Sequence, residues 1–371
     1  MAFNLQSITS SLKGIFSRSR SGGVIGIDIG SSSVKLVQVK QSEGKIVLET
    51  YGELALGPYG GKPVGSMPGL PPEKITEAIK DLMKQANVTA SRGFFSLQSG
   101  GSLIFVLELP DMSETELAQV IPNEARKFIP VPLSEVALDW FVVPRKETYS
   151  EEEAAKGERK KLEILVVAVR NEMLELYQSV TKTLGTENGG LEIEMFSIIR
   201  ALFHHEITPV MLVDVGASGA RIAIVEYGVI RTFHVVSRGG VFLTDTLSRS
   251  SGLAFDKAEE LKREIGMTDM GEHREYSTQL RTAMQIIVSE MRTVLSQYER
   301  TNQKIVSKVM LVGGGSMLKG FREAVAEEFK VETVFGNPFL KTEAPEFLRP
   351  VLIDAGPVFT TAVGIALKEL V

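Results

Sequence analysis

The chain has 371 residues, 43% of them hydrophobic and 23% charged, which is typical of a folded protein with about two or three domains. The formal net charge of −5 gives no argument for nucleic-acid binding, and the absence of cysteine excludes disulfides, thiol chemistry and thiolate metal sites. No apolar run in the sequence approaches the roughly 20 residues that a membrane-spanning helix requires.

Residues 1–20 place apolar side chains near helical spacing, with three basic residues among them. This pattern is typical of an amphipathic helix that lies on a membrane surface or on a partner protein. A frayed tail, or a helix packed on its own domain, explains the same pattern equally well.

The segment from Val24 to Val39 predicts two β-strands joined by a tight turn. The end of the first strand, the turn and the start of the second strand carry Asp28, Gly30, Ser31, Ser32, Ser33 and Lys35. Backbone amides in such a turn attract anions, hydroxyl and ammonium groups donate to phosphate oxygens, and a carboxylate orients hydrated Mg²⁺. The segment therefore predicts a phosphate-binding hairpin, with a plain serine turn as the alternative.

Strands and helices alternate after this hairpin. The expected strands cover 46–56, 93–97, 102–109, 136–143, 162–169 and 191–196, and the expected helices cover 72–85, 117–128, 170–184 and 197–205. Residues 91–190 are expected to form a compact β-and-α block of their own.

The pattern of the first hairpin returns between Val210 and Val225. A strand ends in Asp214, and a turn of small residues follows with Gly216, Ala217 and Ser218. An internal repeat of a phosphate-binding hairpin is more specific than either copy alone. It predicts two related domains that face each other and hold the phosphates of a nucleotide between them.

The last part of the chain predicts helices at 239–251, 255–265 and 276–301, and then a buried strand that starts at Val309. This strand ends in Gly313, Gly314 and Gly315, where a flat ring or a ribose can approach the backbone without contact to a Cβ atom. The spacing matches neither a Rossmann fingerprint nor a Walker A motif. A helix at 319–329 and a closing helix at 359–370 follow, and the alanines and glycine of the closing helix permit close packing.

Taken together, these segments resemble the superfamily of actin, sugar kinases and heat-shock chaperone ATPases over residues 24–371. The resemblance rests on Asp28 to Lys35, Asp214 with Gly216, the helix that carries Ala258, Glu259 and Lys262, and the three glycines from Gly313. An inserted block at 91–190 is typical of FtsA-type members. The amino-acid sequences of residues 25–36 and 124–133 are most similar to those of the PilM family of type IV pilus assembly.

This resemblance implies an α/β, actin-like ATPase fold with two facing α/β domains and an inserted α+β subdomain. The first domain would comprise residues 21–90, 191–204 and 345–371. The inserted subdomain would comprise 91–190, the second domain 205–344, and residues 1–20 the N-terminal tail.

The resemblance also implies a role for each site residue, with ATP and Mg²⁺ as cofactors. Ser31, Ser32, Ser33 and Lys35 would hold the β- and γ-phosphates, while Asp28 and Asp214 would act on Mg²⁺ through water. Gly30 belongs to the first turn, and Gly216, Ala217 and Ser218 would approach from the second. Glu259 and Lys262 would reach the ribose, and Gly313, Gly314, Gly315 and Met317 would line the adenosine pocket. Glu194 lies where related ATPases place a residue that orients water.

The second turn departs from the wider superfamily, since many relatives have a second acid or a hydroxyl run where this chain has Ala217, Ser218 and Gly219. Losing a carboxylate near Mg²⁺ slows hydrolysis more than it weakens binding. The sequence therefore predicts at most a weak ATPase.

By its resemblance to the PilM family, the chain is expected to be a cytoplasmic scaffold, peripheral to the inner membrane. It would bind the cytoplasmic N-terminal peptide of PilN in a groove between the first domain and the inserted subdomain, together with other pilus assembly proteins and no nucleic acid. Arg126, Phe128 and Ile129 are candidates for this groove. The alternatives are an FtsA-like filament protein of cell division, which usually carries a C-terminal membrane helix beyond the closing helix, and a metabolic kinase.

Overall fold

The computed structural model describes residues 23–143, 161–204, 206–268 and 271–371. The predicted amphipathic tail at residues 1–20 lies outside the described residues.

The structure is built from strands and helices that alternate along the chain. The strands are β1 (Val24–Ile29), β2 (Ser33–Ser42), β3 (Lys45–Ala55), β4 (Arg92–Leu97), β5 (Ser102–Pro110), β6 (Val136–Val142), β7 (Lys161–Arg170), β8 (Glu187–Ile193), β9 (Val210–Val215), β10 (Ala220–Glu226), β11 (Val229–Val236), β12 (Lys308–Val312) and β13 (Glu332–Phe335). The α-helices are α1 (Pro72–Gln85), α2 (Glu114–Ala125), α3 (Asn171–Leu184), α4 (Glu194–Leu202), α5 (Gly240–Ser251), α6 (Phe255–Ile265), α7 (Arg274–Asn302), α8 (Phe321–Phe329) and α9 (Arg349–Ala366).

Two five-stranded sheets share one topology. The first has the order β3-β2-β1-β4-β8 and the second has the order β11-β10-β9-β12-β13. In each sheet an antiparallel hairpin lies beside strands that pair in parallel. The central strands β1 and β9 are buried along their whole length, as expected for strands covered on both faces. The internal repeat seen in the hairpins therefore extends to the arrangement of each sheet.

Strand β4 lies in the first sheet, although the sequence predicts it within the inserted block. Strand β8 of the same sheet begins at Glu187, four residues before the strand that the sequence predicts at 191–196 for the first domain. β4 pairs in parallel with β1, and β8 pairs in parallel with β4. The physical reason is burial, since β4 is apolar on both faces and needs cover on both sides. The inserted sheet is the smaller one, with the order β5-β7-β6, and α2 packs on it with a separate hydrophobic cluster.

The connecting helix α4 begins at Glu194, three residues before its predicted start. A carboxylate in the first turn of a helix is favoured by the helix dipole. The Glu194 carboxylate is also held by a hydrogen bond, since its Oε1 accepts from the Ser99 backbone N–H at 2.9 Å.

The closing helix α9 is shifted toward the N-terminus relative to its predicted position, and it includes Pro357. Proline inside a helix removes a backbone hydrogen bond, which is why the sequence predicts a helix that starts only after it. Tertiary packing compensates, since Leu352 and Phe359 on either side are buried and the Pro357 carbonyl accepts a 2.8 Å hydrogen bond from the Gly313 N–H.

Within the described residues, one helical stretch, Glu346–Ala366, is long and apolar enough to cross a membrane by length and composition. In the structure, 56% of its most apolar window is buried inside the protein. The helix packs closely against β1 and α4, and glycines make this close packing possible. A Cβ atom at Gly26 on β1, for example, would lie only 2.2 Å from the Ala362 carbonyl oxygen. A core helix of this kind passes the same length and composition test, so the test alone does not indicate a membrane span.

Candidate functional site

A cleft of about 340 Å³ lies where the turns of the two large sheets meet. It is lined by every residue that the sequence predicts for the nucleotide site: Asp28, Gly30, Ser31, Ser32, Ser33, Lys35, Glu194, Asp214, Gly216, Ala217, Ser218, Glu259, Lys262, Gly313, Gly314, Gly315 and Met317. The structure thus brings residues that are almost 290 positions apart in the sequence to a single cavity.

A backbone hydrogen bond closes the turn of the first hairpin. The Gly30 N–H donates to the Ser33 carbonyl at 3.0 Å. Beside it, Gln98 Nε2 donates to the Ile29 carbonyl at 2.7 Å and the Ser31 hydroxyl donates to Gln98 Oε1 at 3.4 Å. Gln98 was not among the predicted site residues, because no local pattern around it differs from that of an ordinary strand end.

Asp28 and Lys35 lie opposite each other on β1 and β2. The Ser96 hydroxyl donates to Asp28 Oδ1 at 2.7 Å, and Lys35 Nζ donates to the Ser33 hydroxyl at 2.9 Å. Lys35 also lies 3.3 Å from Glu53, a half-exposed carboxylate on β3. Burial raises the pKa of Asp28, and the nearby Lys35 ammonium opposes this shift.

The second hairpin closes in the same way, since the Gly216 N–H donates to the Gly219 carbonyl at 2.9 Å. The carbonyls of Gly216 and Ala217 then accept hydrogen bonds from the Gly240 and Val241 N–H groups, at 2.9 and 3.0 Å. The start of α5 is thereby fixed against the turn. A Cβ atom at Gly239 would lie 2.4 Å from the Gly216 carbonyl oxygen, so the approach requires glycine.

Arg221 is the main site residue that the sequence prediction omitted. It lies opposite Asp214 on β10, seven residues after it, as Lys35 lies opposite Asp28 seven residues after that acid. Its Nε is 3.0 Å from Glu194 Oε1, and its Nη1 is 3.8 Å from Asp214 Oδ2. Aligning the two hairpins on their acids identifies Arg221 from the sequence alone.

Three carboxylates, those of Asp28, Glu194 and Asp214, are buried around Arg221. Burial raises the pKa of Asp214 to about 7, although the Arg221 guanidinium opposes the shift. Burial also disfavours the charged form of Arg221, but Glu194 and Asp214 more than compensate, so that its pKa is raised. Arg221 therefore stays charged and offsets part of the repulsion among the acids.

Glu259 and Lys262, predicted to reach a ribose, line the cleft while paired with each other. Lys262 Nζ donates to Glu259 Oε2 at 2.6 Å, to the Thr244 hydroxyl at 2.8 Å and to the Gly240 carbonyl at 3.1 Å. Burial lowers the pKa of Lys262, and Glu259 opposes this shift. The pair ties α6 to the start of α5 on the wall of the cleft.

The three glycines after β12 have different physical roles. Gly313 has φ +81° and ψ 155°, and a Cβ atom there would lie 2.3 Å from Asp214 Oδ1. A Cβ atom at Gly315 would lie 2.6 Å from Val215 Cγ1, whereas at Gly314 nothing lies within 4 Å. Gly313 and Gly315 thus allow close approach to β9, and Gly314 leaves open space in the cleft.

Two of the buried carboxylates, those of Asp28 and Asp214, line the same cleft. Across the described ranges, no three His, Cys, Asp or Glu side chains are grouped to hold a metal ion. Asp28 and Asp214 nevertheless face one polar cavity, and carboxylates that orient the waters of Mg²⁺ are a common arrangement for this ion.

Comparison with solved structures finds a strong likeness to a protein of the "PilM-PilN type IV pilus biogenesis complex". It is 22% identical, with a TM-score of 0.79, and the match covers 95% of this chain and 100% of that one. The ethanolamine utilization protein EutJ from Carboxydothermus hydrogenoformans is 18% identical, with a TM-score of 0.53 and coverage of 98% and 94%. MreB5 of Spiroplasma citri, solved bound to ADP, is 12% identical, with a TM-score of 0.51 and coverage of 94% and 97%.

These likenesses show the fold and confirm the predicted class, an α/β actin-like ATPase fold. The sequence profile of a family described as "Type IV pilus assembly protein PilM" matches residues 26–370, which is nearly the whole chain. The resemblance predicted from the two hairpins, the glycine turn and the 124–133 segment is therefore confirmed, and the chain belongs to the PilM family of type IV pilus assembly proteins.

Proposed function

We propose that this protein is an ATP-binding scaffold of type IV pilus assembly, with Mg-ATP held in the cleft between the two hairpins. One observation carries the proposal: two hairpins of the same topology face one cavity, each with an acid at a strand end, a glycine turn and a cation seven residues after the acid. Opposed loops with donors and cations are suited to the charged oxygens of a triphosphate.

The residues of the cleft fit the parts of a nucleotide. The hydroxyls of Ser31, Ser32 and Ser33 and the Lys35 ammonium would donate to phosphate oxygens. Asp28 and Asp214 would orient the waters of Mg²⁺, which supplies charge neutralisation when it is bound. The open space at Gly314 admits a flat ring against the backbone. The solved MreB5 structure contains ADP, which supports the same class of ligand here.

We expect slow hydrolysis or none. Glu194, the candidate for orienting water, already uses Oε1 for the Ser99 N–H and the Arg221 guanidinium. The second turn offers no additional carboxylate, because Ala217 and Ser218 follow Gly216. Binding without rapid turnover suits a scaffold whose shape depends on its nucleotide.

The proposed partner is the cytoplasmic N-terminal peptide of PilN, bound between the first domain and the inserted subdomain at the inner face of the membrane. The matched structure comes from a complex of PilM with PilN, which supports this partner. Phe128 is 52% exposed and stacks on Phe105 with ring centroids 4.8 Å apart, beside the exposed Arg126. Ile129, predicted to line the groove, is instead buried in the core of the inserted sheet.

Calorimetric titration of the full chain with Mg-ATP tests the nucleotide site. Lys35→Ala removes one charge-assisted phosphate contact and is expected to weaken binding by roughly tenfold to a hundredfold. Lys45→Ala is the matched control, since Lys45 pairs with Glu343 on the outer edge of the sheet and its loss should leave the affinity unchanged. No binding by the wild type, or equal affinity for Lys35→Ala, would contradict the proposal.

A fluorescence titration with a labelled PilN N-terminal peptide, with and without ATP, tests the partner. Phe128→Ala removes an exposed ring with little cost to the core and is expected to weaken peptide binding while Mg-ATP binding stays intact. A peptide that does not bind in the presence of ATP removes PilN as the partner.

A further inference from the structure

We infer that Arg221 is a fixed, protein-borne cation that neutralises the buried carboxylates of Asp214 and Glu194 and so lowers the dependence of nucleotide binding on Mg²⁺. The inference rests on the proposed function of the cleft and deepens it. It makes Arg221 a positioning residue, because it acts through the two carboxylates that it contacts.

The internal repeat places Arg221 at the position equivalent to Lys35. Asp28 pairs with Lys35 across β1 and β2, and Asp214 pairs with Arg221 across β9 and β10. The two cations differ in their partners. Lys35 hydrogen-bonds the neighbouring Ser33 and lies beside the half-exposed Glu53, whereas Arg221 is only 5% exposed and lies beside the buried carboxylates of Glu194 and Asp214.

The structure makes room for this guanidinium. A Cβ atom at Gly216 would lie 2.9 Å from Arg221 Nη1. The Gly219 carbonyl accepts from Nη1 at 3.4 Å, and Glu194 Oε1 lies 3.0 Å from Nε. The side chain is thus held from the turn of its own hairpin and from the connecting helix α4.

The charges of the side chains that line the cleft explain why a fixed cation is needed there. When ionised, Asp28, Glu194 and Asp214 carry −3, and Lys35 and Arg221 carry +2, which leaves −1 before any ligand binds. The other charged groups of the cleft, Glu53, Glu259, Lys262 and Arg263, sum to zero. Glu259 pairs with Lys262 and Arg263, and Glu53 lies 3.3 Å from Lys35. Without Arg221, two buried carboxylates lose their cation, and a tetra-anionic nucleotide would enter a site of −2.

Coulomb interactions in a partly buried site fall off slowly, so each added charge changes the affinity for a highly charged ligand substantially. Removal of Arg221 therefore penalises free ATP more than Mg-ATP, because bound Mg²⁺ replaces part of the missing positive charge. The effect of Arg221 on the Mg²⁺ dependence is measured by the ratio of the ATP dissociation constant in EDTA to that in excess Mg²⁺.

The test is a calorimetric titration of the full chain with ATP in each of the two buffers. For Arg221→Met, the ratio is expected to rise by roughly tenfold relative to wild type. Arg221→Lys restores the charge and is expected to return the ratio to within about threefold of wild type, which a purely packing role would not require. Arg292→Met, which removes the exposed ion pair between Arg292 on α7 and Glu328 on α8, is the control with an unchanged ratio.

A second variant covers the case in which Arg221→Met does not fold, as judged by circular dichroism. Glu194→Gln removes one negative charge with Arg221 intact, and the ratio is then expected to fall below the wild-type value. The double variant Glu194→Gln/Arg221→Met restores the original charge balance and is expected to return the ratio toward wild type.

The two proposals fail in different ways. A wild-type chain that binds ATP in neither buffer overturns the proposed function and this inference with it. A chain that binds ATP normally, but whose ratio is the same in wild type, Arg221→Met and Glu194→Gln, overturns only the role of Arg221.

Discussion

The backbone conformation of Gly313 directly affects the geometry of the cleft. Its φ of +81° and ψ of 155° lie in a region that is essentially restricted to glycine, and a Cβ atom there would lie 2.3 Å from Asp214 Oδ1. The close approach sets the position of Asp214 at the end of β9. This glycine therefore serves the geometry of the carboxylate and not only the proposed adenosine pocket.

Gly313→Ala is expected to reduce the free energy of unfolding by about 1–3 kcal/mol from backbone strain alone, with a further loss from the clash. It should also displace the Asp214 carboxylate and weaken Mg-ATP binding. Gly314→Ala is the control for stability, because its Cβ atom meets nothing within 4 Å and its φ is not positive. Chemical denaturation would decide the question: equal stability of the two variants would show that Gly313 is not strained.

Asp214 makes the stability of the nucleotide-free protein depend on pH. Its pKa is raised from 3.8 to about 7 by burial, so the folded protein retains a proton that the unfolded chain has already released. The free energy of unfolding should therefore fall as the pH rises from about 4 to 7, and the penalty is complete above the folded pKa.

Asp214→Asn removes this titration and is expected to flatten the pH dependence and to stabilise the nucleotide-free protein at pH 8. Urea denaturation of both proteins at pH 5.5 and pH 8 measures the effect. The idea fails if the wild type loses no more stability than Asp214→Asn between these two pH values.

At the scale of elements, the packing of α9 on α4 joins the core of the first sheet to the connecting helix. A Cβ atom at Gly364 would lie only 1.8 Å from the Ser197 carbonyl oxygen, which is the closest approach among the glycines of these helices. On the same side, Arg200 Nη1 donates to Glu192 at 2.6 Å and to the Gly364 carbonyl at 3.0 Å. The two helices are therefore in direct contact through their backbones.

Gly364→Ala forces α9 away from α4 and is expected to cost about 3 kcal/mol or more, at the upper end of overpacking effects. Gly356→Ala in the same helix is the graded comparison, because its Cβ atom would lie 3.2 Å from Pro338 Cδ, where a small shift suffices. Thermal unfolding should rank the variants as wild type, Gly356→Ala, Gly364→Ala, in order of decreasing stability. The reverse order for the two variants would refute this description of the helix contact.

At the scale of the whole molecule, the inserted subdomain contacts the second sheet as well as the first. Arg231 on β11 forms an ion pair with Glu163 on β7, and its Nε lies 3.6 Å from the buried Glu226. At the base of the insert, the Ser99 N–H donates to Glu194, which contacts Arg221 in the cleft. These two polar contacts link the insert to the second half of the molecule, one between β7 and β11 and one beside the cleft.

Arg231→Ala removes the ion pair between Arg231 on β11 and Glu163 on β7 of the inserted sheet. Because a partly exposed ion pair contributes only about 0–1 kcal/mol, the melting temperature should change little. Amide hydrogen exchange in β5 and β7 should nevertheless become faster, since the insert loses a tether. Arg292→Ala, which breaks an ion pair between α7 and α8, provides the comparison and should leave exchange in β5 and β7 unchanged.

The sequence by itself determined the fold class and 17 of the 31 residues that line the cleft. Each hairpin is encoded in about sixteen contiguous residues, where strand periodicity, a glycine turn and an acid are local features. The tertiary structure alone decided that β4 joins the first sheet and that α9 continues through Pro357. It also decided that Glu194 meets Arg221 beside the Ser99 amide. These features depend on pairings between residues far apart in the chain, whose burial outweighs local propensity.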